Sequence, residues 1–215
     1  MKNLKQTMAV TAAFACVALS AAANSYTVSA TDPSQTTAFG PDSLSLAQFN
    51  GALGTLTSVK VTLSVTGAES ASVFNFNGTP KPYTVDAQTA ISATTGALTV
   101  STTLDSGSFS GTAAPFTPIT LTGPTVTQTA SGFVAGSLAA YIGNGVTTFN
   151  VDVTGGTANV TGSIPANVLV GGSANVAETV TIEYTYTVAT PDGGVTMALL
   201  GAALGGVALL KRREA

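Results

Sequence analysis

"TLTSVKVTLSV", Thr55 to Val65, decides the fold class. Leu56, Val59, Val61, Leu63 and Val65 are its apolar members, and from Val59 onward they recur at every second position. A period of two puts alternate side chains on opposite faces of an extended chain, as a half-buried β-strand requires. "ETVTIEYTYTV", Glu178 to Val188, places Val180, Ile182, Tyr184, Tyr186 and Val188 on one face, with Thr and Glu opposite. "TTFNVDV", Thr147 to Val153, places Phe149, Val151 and Val153 together. Shorter stretches of the same kind are "SYTVSA", "SLSLAQF", "ASVFNF", "ALTVSTTL", "ITLTG" and "ANVTGSI". Gly, Pro, Asn and Asp punctuate them at short spacing, and the abundant Thr and Val suit a pleated surface because they are β-branched.

Residues 24–189 therefore read as one all-β domain: an antiparallel β-sandwich, jelly-roll-like or Ig-like, with a barrel as the other closure. No Cys…Trp…Cys spacing supports an antibody-like domain, and no fixed-period repeat supports a solenoid. "PFTPITLTGPT" (Pro115–Thr125) and "GTPKPY" (Gly78–Tyr83) carry prolines and are expected in loops or at sheet edges. "SGFVAGSLAAYIG" (Ser131–Gly143) fits either a strand or a short helical turn.

Composition removes several chemistries. Charged residues make up 8% of the chain, against about 25% in ordinary proteins, so Ser, Thr and Asn must carry the surface. There is no His and no Trp, and the single Cys is Cys16. Thiolate and imidazole catalysis, and zinc sites built from Cys or His, have no residues to work with in the body. Between Asn24 and Ala189 the acids are Asp32, Asp42, Glu69, Asp86, Asp105, Asp152, Glu178 and Glu183, and the bases are only Lys60 and Lys81. Such a body lacks the basic patch that nucleic acid demands, so no nucleic-acid partner is expected.

The two ends differ from the body. "MKNLKQTMAVTAAFACVALSAAA" (1–23) has Lys2 and Lys5 ahead of an apolar run from Thr7 to Leu19, then Ala21-Ala22-Ala23. This is the order of a secretory signal peptide, with Ala21 and Ala23 forming the small-residue cleavage pattern and signal peptidase as the partner. The alternative is an uncleaved anchor helix. Cys16 raises a lipoprotein reading, but the Phe14 before it is bulky where a lipidation site wants small residues. At the other end, "VTMALLGAALGGVALL" (195–210) is uncharged. As a helix, at about 1.5 Å per residue, it would extend roughly 24 Å, a little short of the hydrocarbon core. Lys211, Arg212 and Arg213 close it, and the positive-inside rule places residues 211–215 in the cytoplasm and the body outside. The alternative is a core helix, though the run has no polar face. Gly201 and Gly205 fit a helix-packing G-x-x-x-G pattern.

"TPDGG" (190–194), the apolar run and the basic close together resemble a PEP-CTERM-type sorting signal, nearest to its VPDSG-like variant. Pro191 and Asp192 match the motif, while Thr190 stands where Val is usual and Gly193 where Ser is usual; Gly194 completes the stretch. The resemblance implies an exosortase-type membrane enzyme as partner, a temporary inner-membrane anchor, and delivery to the cell surface or matrix. "LAQFNGALGTLTSVKVTLSVTG" (Leu46–Gly67) and the closing "TIEYTYT" are similar to choice-of-anchor E domains, exported bacterial β-rich modules that precede interchangeable anchoring signals. That resemblance implies no catalytic residues.

Three site chemistries bear on the remaining residues. Paired carboxylates suit glycosidases, but Glu178 and Glu183 lie on opposite faces of one strand, and Asp152 meets Glu183 only if their strands pair. The plainer expectation is that the acids are scattered and solvated. A calcium loop of the D-x-[DN]-x-[DN]-G type is absent. Tyr184 and Tyr186 share a face, which suits either a sugar-stacking platform or core packing. Asn77-Gly-Thr and Asn159-Val-Thr match a glycosylation pattern that arises easily by chance. The expectation is a non-catalytic surface or matrix structural protein without cofactor, with exopolysaccharide as a further partner. The alternative is a carbohydrate-binding module.

Overall fold

In the computed structural model the described residues are 23–36, 42–96, 98–188, 200–202 and 204. Nine strands form the body: β1 (Ala23–Thr36), β2 (Asp42–Ala47), β3 (Thr55–Asn75), β4 (Lys81–Thr95), β5 (Leu98–Ala113), β6 (Pro118–Thr122), β7 (Val126–Phe133), β8 (Val146–Ser163) and β9 (Val168–Thr187). One antiparallel sheet runs β1-β9-β3-β6, with β7 also on β3; the other runs β2-β8-β4-β5. The two stack as a β-sandwich, the expected all-β class.

The opening stretch sits at the centre. Val59, Val61, Leu63 and Val65 of β3 are buried, as are Val176, Val180, Ile182 and Tyr184 of β9. Phe149, Val151 and Val153 of β8, with Ile91 and Ala93 of β4, face them from the second sheet and join the same core. The three-residue step from Leu56 to Val59, which breaks the sequence period, is a β-bulge: Leu56 pairs with Tyr186 and Ser58 with Thr185, leaving Thr57 extra. Both Leu56 and Val59 thereby face inward. β3 and β9 approach closely at Gly67, where a Cβ would collide with the Asn175 carbonyl oxygen.

Two sequence stretches join into longer strands than their separate patterns suggest. "ASVFNF" continues the opening strand to make β3, and "ANVTGSI" continues "TTFNVDV" to make most of β8. Pro118–Thr122 is an edge strand against the far half of β3, as its opening Pro118 favours. Lys81-Pro82-Tyr83 opens β4, an inner strand of its sheet, rather than forming a loop or an edge. Ser131–Gly143 is both things expected of it: it ends β7 and then makes a 3-10 turn at Ala139–Tyr141.

A buried asparagine closes one end of β3. Asn75 Nδ2 donates to the carbonyls of Thr79 (2.9 Å) and Ala113 (3.0 Å), and its Oδ1 accepts from the Asn77 amide (2.9 Å). Asn75→Ala leaves the buried Ala113 carbonyl without its donor and strips the part-buried Thr79 carbonyl of another, and is expected to cost about 1–3 kcal/mol. A urea midpoint unchanged from the parent chain would refute that.

Among the described residues no helix is long and apolar enough to cross a membrane. The expected span 195–210 falls mostly outside those residues; 200–202 and 204 are helical. Ala21, Thr190, Pro191, Asp192, Gly193, Gly194, Lys211, Arg212 and Arg213 also lie outside the described residues, whereas Ala23 is the first residue of β1.

Candidate functional site

The face shared by Tyr184 and Tyr186 points into the sandwich. The bend "FNGALG" between β2 and β3 carries the chain from one sheet to the other, and it drives Phe49 into the core. Asn50 caps the 3-10 turn Gly51–Leu53, its Oδ1 accepting from the Ala52 amide at 3.0 Å. Gly54, at φ 147°, then adopts a backbone conformation suited to glycine and leads into β3. Phe49 packs with Tyr26, Tyr184 and Tyr186, at ring-centroid distances between 5.3 and 6.0 Å for the Tyr26–Tyr184, Phe49–Tyr184 and Phe49–Tyr186 pairs and for Tyr26–Phe49. Tyr184 is fully buried and donates its hydroxyl to the Ala47 carbonyl at 2.9 Å. Of the two sequence readings, packing holds for Tyr184; it has no free ring face for a sugar, and Tyr186 is half-buried beside it. Burial raises the Tyr184 hydroxyl above its ordinary pKa. Tyr184→Phe should cost about 1 kcal/mol, since it removes one hydrogen bond that ties β9 to the end of β2. Chemical denaturation will measure this, and an unaltered midpoint would mean the bond contributes nothing.

The acids are less evenly solvated than the sequence suggests. Glu69 and Glu178 are both 0% exposed. The signal was present: Glu178 stands two residues before Val180 and so shares the inward phase, and Glu69 stands four after Val65. The register of β1 on β9 sets Asp32 directly opposite Glu178. A β-bulge at Pro33–Ser34 then lets Gln35 lie beside Asp32. Gln35 Nε2 donates to Asp32 Oδ2 at 2.9 Å and to Asp42 Oδ2 at 2.7 Å, bridging the edge strands of the two sheets. Neither carboxylate oxygen of Glu178 has a hydrogen-bond partner. Desolvation first, then the charges of Asp32 and Asp42, push the Glu178 carboxyl up to about 7. Burial also raises Asp32.

Glu69 is better served. Its Oε2 accepts from the Ser106 amide at 2.9 Å, and its own amide donates to Ser106 Oγ at 3.1 Å. Its Oε1 has no partner, and burial raises its pKa. Outside this sheet, Gln88 Nε2 donates to Asp86 (3.1 Å) and Asp105 (3.0 Å), a second amide bridge between carboxylates. Glu183 lies on the opposite face of β9 from Glu178, as expected, and Asp152, exposed on β8, is not set against it because β8 and β9 do not pair. No carboxylate pair of the glycosidase kind is thus made from these two. A cavity of about 230 Å³ opens beside Leu98, Phe133, Val134 and Tyr141, with Tyr141 its titratable group.

Comparison with protein-family models finds no match, and comparison with curated proteins finds none. Among solved structures the chain is similar to particles of infectious bursal disease virus. The Gt strain structure is 14% identical with a TM-score of 0.21, covering 78% of this chain and 38% of that one. The Gx strain structure is 14% identical with a TM-score of 0.20, covering 86% and 43%. A D431N mutant VP2 protein of the same virus is 14% identical, with a TM-score of 0.14 and coverage of 83% and 40%. The chain thus spans about two fifths of the length of these proteins.

Proposed function

We propose that this chain is an exported bacterial surface or extracellular-matrix structural protein, non-catalytic, sorted through its C-terminal signal. The observation that carries the reading is the order of three parts: a signal-peptide-like front, a β body, and "TPDGG" followed by an apolar run and "KRR". The folded β unit, Ala23–Thr187, occupies the chain between the two sequence signals and overlaps the first only at Ala23. Signal peptidase removes residues 1–23. Residues 195–210 hold the chain in the inner membrane as an intermediate, with 211–215 in the cytoplasm. An exosortase-type enzyme reads Thr190–Gly194 and releases the body toward the cell surface. The body, jelly-roll-like or Ig-like in this reading, is a choice-of-anchor-like passenger. It suits a matrix rich in exopolysaccharide because its surface is carried by neutral Ser, Thr and Asn rather than by charge.

The test is intact mass from the membrane and extracellular fractions of the native host. Loss of both ends, with the second cut near Thr190–Gly194, is the expected result. A membrane-bound species that keeps Lys211–Arg213 as the sole form would overturn sorting and leave a single-span protein.

A further inference from the structure

We propose that the cavity at the β4–β5 hairpin end of the sandwich holds one neutral sugar ring, with the Thr147 hydroxyl as its buried polar contact. The choice of a sugar rests on the matrix reading above; the site itself rests on geometry. Three segments build it. β7 leaves its sheet at Val134, whose amide donates to the Val59 carbonyl at 3.0 Å. The chain returns at the 3-10 turn Ala139–Tyr141, which is pinned where the Phe49 amide donates to the Tyr141 carbonyl at 2.8 Å. Between these anchors stand Ala135, Gly136 and Ser137, too small to fill the space they span. The tip of the β4–β5 hairpin contributes Thr95, Gly96 and Leu98, and the cavity measures about 230 Å³. A Cβ on Gly96 would meet nothing within 4 Å, so this side of the rim is open.

Two observations point to a ligand. The first is Thr147, on the inward phase of β8 two residues before Phe149. It is 8% exposed, it lines the cavity, and its Oγ1 has no hydrogen-bond partner. Leu46 of β2 pairs with it on one flank. On the other flank the β4–β8 ladder ends at Thr94–Asn150, before it reaches Thr147, so the cavity is what that flank meets. A buried hydroxyl without a partner destabilises a fold, and valine would fill the same shape without that cost. A threonine there calls for a partner that enters from the cavity. The second observation is the chemistry of the wall. None of the described residues lining the cavity is charged, so a phosphate, carboxylate or cation would be desolvated there without a counter-charge. Tyr141 and Leu98 supply apolar surface, while Thr95, Ser137 and Thr147 supply hydroxyls. Apolar walls with a few placed polar groups make small-molecule sites, but this volume lies below the roughly 300 Å³ at which drug-sized sites begin. One six-membered ring fits. A hydrocarbon ring would leave Thr147 unpaired, whereas a sugar presents C–H faces to Tyr141 and Leu98 and a hydroxyl to Thr147.

The experiment is saturation-transfer NMR on the full-length chain, held in a detergent without a sugar head group. The probes are neutral gluco-, galacto- and manno-configured hexaoses, their methyl glycosides, and an oligouronate. At least one neutral series should receive saturation, and the oligouronate none. A hexaose contacted through its end ring marks a polysaccharide terminus; a methyl glycoside bound where its hexaose is not marks a free sugar, and either supports the site. Thr147→Val should weaken binding about 3–10-fold, the worth of one hydrogen bond, without lowering Tm. Ala140→Leu, which fills the cavity from an exposed position on its wall, should abolish binding, and it keeps the test alive if the first variant does not fold. No saturation of any neutral probe, a preference for the oligouronate, or unchanged binding in either folded variant would overturn the site. Tail processing is read separately by intact mass, so a failure of sorting and a failure of this site are distinguishable.

Discussion

Phe149→Ala is expected to remove about 3–5 kcal/mol of stability, because a large buried ring leaves a cavity that its neighbours cannot fill. Phe149 is 0% exposed and pairs with Leu44 across β2 and β8. It stands on the inner face of the second sheet and belongs to the same core as Leu63, Val180 and Ile182. Every one of those residues sits on a strand with fixed hydrogen-bond register, so the sheets cannot close over the gap without sliding that register. Denaturant unfolding of the parent and variant chains measures the difference. A loss under about 1 kcal/mol would show that this face of the sandwich is loosely packed.

The protein is expected to lose stability as pH rises from about 4.5 through about 7, by on the order of 3 kcal/mol from Glu178. In the unfolded chain this carboxyl ionises near its ordinary value of 4.5; in the folded chain it ionises near 7. Below the lower value it is protonated in both states and costs nothing. Above the higher value it is ionised in both, and the folded state alone bears an uncompensated buried charge. The folded state therefore holds its extra proton between the two values, and stability declines across that window. Asp32 and Glu69, also raised by burial, act in the same sense. Urea midpoints across the window give the measurement. Glu178→Gln should flatten the decline, and a parent chain whose midpoint climbs steadily from pH 4.5 to 7 would contradict the burial of this side chain.

Much of the fold was legible because β alternation is local. Val59 to Val65 and Val180 to Tyr186 announce their buried faces within one strand's length, and the irregular step at Thr57 marks a bulge. The loop residues were less transparent. Lys81-Pro82 reads as a loop or a sheet edge, yet Pro82 can open an inner strand because β4 has other residues to carry its ladder. The site was harder still. The phase of Glu178 is readable in the sequence, but acids on a β surface are ordinarily solvated, and that was the expectation for all of them.

The residues alone determined the all-β class, the inward faces of the main strands, the lack of Cys and His in the body, and the two terminal stretches on which the proposed sorting rests. Only the tertiary structure decided that β1 lies on β9, that β2 lies on β8, and that Tyr184 is core. It also decided that Asp32, Asp42 and Glu178 share one seam. The physical reason is that a strand's pattern says which face is buried but not which strand lies beside it. Pairing is set by the whole sandwich closing on itself, across long separations in sequence. Carboxylates from opposite sheets therefore meet at a place that no local stretch of the chain describes.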